Sequence, residues 1–240
     1  MKKPQLFLLH FAGGNYFSYQ SMIPYLHGFE VISPELPGRG KRIMEPLVTT
    51  FEEAAADIFR QITARLSGRF FIYGHSMGAY LALQVAHMLE HISQAPEAVW
   101  VSGTAGPDYL EHTGRHLLSG EGLTEELKKL GGIPDEFWED DDLFSFFEPV
   151  IRADFEIVDT CYIPDGTCIS APLYAMMGEE EENAQHIGCW EKFTRAAFKS
   201  QLFPGKHFFI HDHPAAIASA IHSVGYPAAG NNKIPEKSHL

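Results

Sequence analysis

Apolar positions along this chain follow two patterns, short runs and longer stripes at helical spacing. The runs sit at residues 6–10, 30–33, 70–73, 99–102, 173–177 and 202–203 and read as strands of a buried sheet. Phe51, Ala54, Ala55, Ile58, Phe59, Ile62 and Leu66 recur at i, i+3, i+4 spacing, with Glu53, Asp57, Arg60 and Gln61 on the opposite face. Met77, Tyr80, Leu81, Val85, Met88 and Leu89 form a second stripe, and helices are also predicted over residues 16–26 and 214–224. This alternation predicts an α/β fold, a mainly parallel sheet with helices on both faces.

Residues 106–164 break the alternation. No convincing strand lies there, but helical patterns cover residues 123–130, 134–138 and 143–159, the last with a break expected at Pro149. Gly131 or Gly132 can take the left-handed conformation that closes the first of these helices. An all-helical insertion between two strands would sit over the strand ends as a lid. Its Phe137, Trp138, Leu143, Phe144, Phe146, Phe147, Val150 and Phe155 offer more apolar surface than a connector requires. Part of that surface packs on itself; the remainder could line a channel.

The chemistry centres on Phe71-Ile72-Tyr73-Gly74-His75-Ser76-Met77-Gly78, an apolar run that ends in Gly-x-Ser-x-Gly and passes straight into a helix. This reads as a nucleophile elbow, in which a sharp strand-to-helix turn exposes Ser76 and the two glycines avoid collision with the neighbouring backbone. The Met77 amide then stands where an oxyanion would develop. Leu6-Phe7-Leu8-Leu9-His10 leads directly into Phe11-Ala12-Gly13-Gly14, a glycine-rich loop after an early strand, so Phe11 or Ala12 would supply the second oxyanion amide.

A serine hydroxyl needs a base, and in hydrolases of this chain order the base follows the last strand. His207, after the turn Pro204-Gly205-Lys206, fits that place. The spacing His207, His211, His213 also permits a metal reading, which the extended run and the absence of a nearby cysteine disfavour. His75 is read as filling space at the elbow. For the acid, Gly178-Glu179-Glu180-Glu181-Glu182 closes a strand, and Glu181 is chosen by its offset from Gly178, with its neighbours and Asp108 as alternatives.

With 240 residues, 45 % of them hydrophobic, the chain is expected to form one domain over residues 1–240, with the lid at about 106–164 and a mobile tail at about 227–240. No apolar run approaches the roughly 20 residues that span a bilayer. Cys161, Cys168 and Cys189 lack metal or redox spacing, which suits reduced thiols in the cytoplasm. A net charge of −13 argues against nucleic acid and leaves any acidic partner to a local basic or apolar patch. Arg39, Lys41 and Arg42 form one basic cluster, read as a solvated loop in preference to a contact with a phosphate or an acidic partner. Monomer is the default expectation.

His10-Phe11-Ala12-Gly13-Gly14, Glu35-Leu36-Pro37-Gly38-Arg39-Gly40, Gly74-His75-Ser76-Met77-Gly78, Leu130-Gly131-Gly132-Ile133-Pro134 and Arg152-Ala153-Asp154-Phe155 follow one another in an order that resembles the type II thioesterases over residues 5–224. The resemblance implies an α/β-hydrolase fold and no cofactor or metal. It also implies a partner, an acyl or peptidyl carrier protein whose phosphopantetheine arm holds a stalled or aberrant acyl group during nonribosomal peptide or polyketide synthesis. Editing, or in some members release, is the activity implied. The chain departs from the family pattern at His10, where proline is usual, at Lys206, where Gly-Gly-His is usual, and at Glu181, where aspartate is usual. The last departure leaves three readings: glutamate serves, the triad is weakened, or Asp108 replaces it. A carboxylesterase or lipase acting on small molecules, or a noncatalytic carrier-binding protein with a degenerate triad, are the alternatives.

Overall fold

Leu6 and Leu8 pack into one layer of the core while Phe7 and Leu9 pack into the other, and all four are buried. Successive side chains of a strand point to opposite faces, so a strand covered on both sides must be apolar throughout. In the computed structural model, which describes residues 2–133, 137–138 and 140–225, this run is strand β1, Gln5–Leu9. The other strands are β2 (Glu30–Ile32), β3 (Phe70–His75), β4 (Val99–Ser102), β5 (Leu173–Gly178) and β6 (Phe198–Phe203). Among the described residues they form one parallel sheet in the order β2-β1-β3-β4-β5-β6.

Helices α1 (Phe51–Thr63) and α2 (Met77–His91) cover one face. The start of α1 is set by Thr50, whose hydroxyl accepts the Glu53 amide, and its buried stripe is Phe51, Ala54, Ala55, Ile58 and Ile62. On the other face lies α6 (Pro214–Gly225), reached through the short α5 (Phe209–Asp212). Between β4 and β5 come α3 (Gly120–Leu130) and α4 (Asp141–Asp159), with no strand among the described residues of 106–164. Leu123, Leu127, Ile151 and Phe155 form a separate apolar cluster that joins these two helices to Ala12.

Three expectations are corrected. Residues 16–26 form turns and a single 3-10 turn, Ile23–Tyr25, instead of an α-helix. Pro24 has no amide to donate, and Asn15 and Ser18 spend their side chains on local backbone amides, although Tyr19, Met22 and Leu26 are still buried. Helix α4 runs through Pro149 without a break. An interior proline costs roughly 3 kcal/mol, and the buried second half, with Ile151, Asp154, Phe155 and Ile157, holds the helix in line. Strand β6 begins at Phe198, four residues before the apolar pair at 202–203, because this edge strand exposes Lys199, Ser200 and Gln201. The helical pattern at 134–138 falls in part, and the tail at 227–240 wholly, outside the described residues.

Candidate active site

Ser76 stands between the end of β3 and the start of α2 with φ 55° and ψ −119°, a conformation that side chains rarely adopt. The turn is tight because Gly74 and Gly78 meet: a Cβ on Gly74 would strike the Gly78 carbonyl, and a Cβ on Gly78 would strike the Leu9 carbonyl. The Ser76 amide donates to the Ser102 carbonyl at 2.7 Å, which ties the turn to β4. Met77 opens α2, so its amide has no acceptor within the helix.

The loop after β1 lies beside this turn. Gly14 N–H closes it on the Phe11 carbonyl at 2.9 Å, while the Phe11 and Ala12 amides donate to no described residue. The Phe11 ring is wedged edge-on against Phe208 and His75, at 4.9 and 5.8 Å between centroids.

His207 follows β6, and its Nδ1 lies 2.8 Å from Glu181 Oε2. Glu181 Oε1 accepts the Gly178 amide at 2.8 Å, which fixes the carboxylate, and the two side chains are only 9 % and 19 % exposed. With Nδ1–H donating to Glu181, Nε2 is the basic nitrogen of the ring. Glu179, Glu180 and Glu182 are exposed. Asp108 pairs with Lys192 and lines a different cavity, so the structure does not bring it to His207.

His75 is fully buried beneath the turn, its Nδ1 2.8 Å from Ser102 Oγ, which in turn lies 2.8 Å from the Tyr73 hydroxyl. Burial pushes its pKa far below the usual imidazole range, aided by His207 and His211, and keeps it neutral. Its ring packs 4.9 Å from that of His207. His211 stacks flat on Phe208, and His213 meets the Pro204 carbonyl at 2.9 Å, so the three histidines 207, 211 and 213 turn to separate partners. No cluster of three metal-ligating side chains occurs among the described residues.

Ser76, His207 and the Phe11–Gly14 loop open onto one cavity of about 520 Å³. Helices α3 and α4 roof it with Leu127, Leu130, Phe147, Ile151 and Phe155. No Asp, Glu, Lys or Arg is among its described lining residues. Such a concave, apolar site with a few polar groups at one end suits a hydrocarbon acyl group presented to a nucleophile.

The basic cluster is corrected. Arg39 is no solvated residue: it is 3 % exposed and gripped bidentately by Asp154, 0 % exposed, at 2.6 and 2.7 Å. Arg42 binds Glu45 and Asp57, and Lys41 lies over the Tyr16 ring. Asp154 was not singled out as a functional residue in the sequence. The available signal was a carboxylate three residues after Ile151 and three before Ile157, on the apolar stripe of the helix, where a buried charge requires a partner.

His10 sits beside this pair, and burial and the Arg39 charge lower its pKa from 6.5 to about 4. Its Nδ1–H donates to the Phe11 carbonyl at 3.0 Å, and its Nε2 accepts the Leu36 amide at 3.5 Å, which requires the neutral ring. Since the unfolded chain takes up this proton near pH 6.5 and the native protein near 4, the stability present above pH 6.5 is lost as pH falls toward 4. Between pH 6.5 and 5 the loss from this residue is about 1.5 kcal/mol. Denaturant unfolding at both pH values is expected to show that much less loss in His10→Gln than in the wild type.

The model of the Thioesterase domain family matches residues 4–224 of the chain. Linear gramicidin dehydrogenase LgrE of Brevibacillus parabrevis is 29 % identical over 242 residues, covering 94 % of this chain and 91 % of that one. Gramicidin S biosynthesis protein GrsT of Aneurinibacillus migulanus is 28 % identical, covering 88 % and 84 %. Among solved structures, the type II thioesterase BorB of the borrelidin biosynthetic cluster superposes with a TM-score of 0.86 at 29 % identity, covering 93 % of each chain. The fold they share is the α/β-hydrolase fold.

Proposed function

Because this chain belongs to the thioesterase domain family, we propose that it hydrolyses stalled or aberrant acyl groups from the phosphopantetheine arm of carrier proteins in nonribosomal peptide or polyketide synthesis, working in the cytoplasm. The observation that carries this reading is the convergence of Ser76 and the Glu181-bound His207 on one apolar cavity, next to the Phe11 and Ala12 amides, which donate to no described residue. The relatives support the carrier: GrsT is named for gramicidin S biosynthesis, and BorB for the borrelidin cluster.

In this mechanism His207 Nε2 takes the Ser76 proton as Oγ attacks the thioester carbonyl, and Glu181 holds the imidazolium that forms. The amides of Met77 and of Phe11 or Ala12 receive the oxyanion. Collapse breaks the carbon–sulfur bond, and the pantetheine thiolate leaves with the proton from His207. Water then attacks the acyl-serine ester, giving its proton to His207, and the acid departs as Ser76 recovers its hydrogen. Helices α3 and α4 act as the lid that excludes bulk water while the ester persists.

The test is hydrolysis of acetyl and longer acyl groups loaded on a phosphopantetheinylated carrier, read by mass spectrometry of the carrier, with the matching oxygen esters in parallel. Deacylation of the carrier in preference to the esters is the expected result. Hydrolysis of the esters alone would reassign the chain as a carboxylesterase. Tight carrier binding without turnover would make it a noncatalytic binding protein.

A further inference from the structure

The Arg39–Asp154 pair joins three segments far apart in sequence. Asp154 Oδ2 accepts the Gly13 amide at 2.7 Å as well as an Arg39 nitrogen at 2.6 Å, and its Oδ1 accepts the other Arg39 nitrogen at 2.7 Å. Arg39 also donates to the Gly14 carbonyl at 3.2 Å. The pair therefore holds an N–H and a C=O of the very loop whose Phe11 and Ala12 line the cavity. Ile151 and Phe155, on either side of Asp154 along α4, line that cavity, and Ile151 fills the space a Cβ on Gly13 would need.

A buried ion pair is a poor source of stability, since apolar residues of similar volume often serve the fold equally well or better. What apolar residues cannot supply is an acceptor for Gly13 and a donor for Gly14. We propose that Asp154, together with Arg39, is a positioning residue for the oxyanion loop, holding the Phe11 and Ala12 amides at the distance a tetrahedral intermediate requires and fastening that loop to lid helix α4. The inference rests on the serine thioesterase reading. A loop that relaxes weakens the transition state more than the bound substrate, so the loss belongs in kcat rather than KM.

The test compares the wild type with the double variant Arg39→Met/Asp154→Leu, which removes both charges at similar volume, and with Asp154→Asn, which keeps an acceptor for Gly13. Three quantities are read: the melting temperature, kcat and KM on an acyl-carrier, and the rate at which an alkyl fluorophosphonate labels Ser76. In that labelling Oγ displaces fluoride from phosphorus, its proton leaves through His207, and the phosphoryl oxygen enters the oxyanion site. For the double variant we expect an unchanged or higher melting temperature and a kcat lower by about 10- to 100-fold, short of the roughly 10²–10³ lost when an oxyanion donor is deleted. KM should stay within about threefold, and labelling should slow in step with kcat. For Asp154→Asn, kcat and labelling should fall between the two, while the melting temperature drops below both because the buried Arg39 charge is left unpaired.

Wild-type kcat in the double variant overturns the proposal, as does a fall in kcat with unchanged labelling. If the double variant does not fold, Asp154→Asn decides on the same criteria. If neither folds, amide exchange in the wild type decides: Gly13 must be protected, and exchange at the rate of an exposed loop overturns the proposal. A wild type that labels at Ser76 but hydrolyses no thioester or ester refutes the function while leaving the positioning comparison readable. A wild type that does not label at Ser76 refutes both.

Discussion

Replacing Ser76 by alanine is expected to lower kcat for carrier deacylation by at least about three orders of magnitude, as loss of a triad nucleophile does in other serine hydrolases. The substitution is clean here. Alanine keeps the Cβ, so it bears the same backbone strain at φ 55° as serine, and the hydrogen bond its amide donates to the Ser102 carbonyl is independent of the side chain. The variant should therefore fold with a near-native melting temperature and still bind the acyl-carrier. Single-turnover deacylation followed by mass spectrometry measures the effect. A rate within tenfold of wild type would mean that another group attacks the thioester.

The second large effect is predicted for Glu181→Gln, a fall in kcat of roughly 10²- to 10⁴-fold. Glu181 accepts two hydrogen bonds, one from Gly178 N–H and one from His207 Nδ1–H. A glutamine amide has only one oxygen. If that oxygen serves Gly178, the NH₂ group faces His207 and drives the ring to the tautomer protonated at Nε2, which cannot take the Ser76 proton. If it serves His207, the NH₂ group opposes the Gly178 amide and displaces the loop. Either arrangement disables the base. Asp108→Asn, at the site paired with Lys192, should change kcat by less than about twofold, because it touches neither His207 nor the cavity. Rates for the two variants side by side decide the acid, and the larger loss at Asp108 would reverse the assignment.

The elements that were legible in the sequence are those whose physics is local. The elbow needs a strand, two glycines and a helix in direct succession, and residues 70–91 spell all three. Helix α1 announces itself through one apolar stripe with Glu53, Asp57, Arg60 and Gln61 on the opposite face. Glu181 was separable from its neighbours only by its distance from Gly178, since all four glutamates have the same chemistry; the turn of the loop buries this one and exposes the others. The Arg39–Asp154 pair was illegible for the opposite reason. Its members are 115 residues apart, and Arg39 reads as part of a surface charge run until helix α4 is brought over it. Residues 16–26 have a helical spacing of buried side chains but not the backbone, because Pro24 and Asn15 act on hydrogen bonds that periodicity does not count.

The uncharged lining of the cavity bears on which cargo the enzyme would remove. An acyl group with a free ammonium or a second carboxylate would have to shed its water in a chamber whose described walls offer no counter-charge, at an effective penalty of several kcal/mol per ion. A neutral hydrocarbon chain gains on entry instead. On the proposed reading the chamber would sort by polarity before any bond is broken, favouring neutral acyl chains over aminoacyl and dicarboxylic ones.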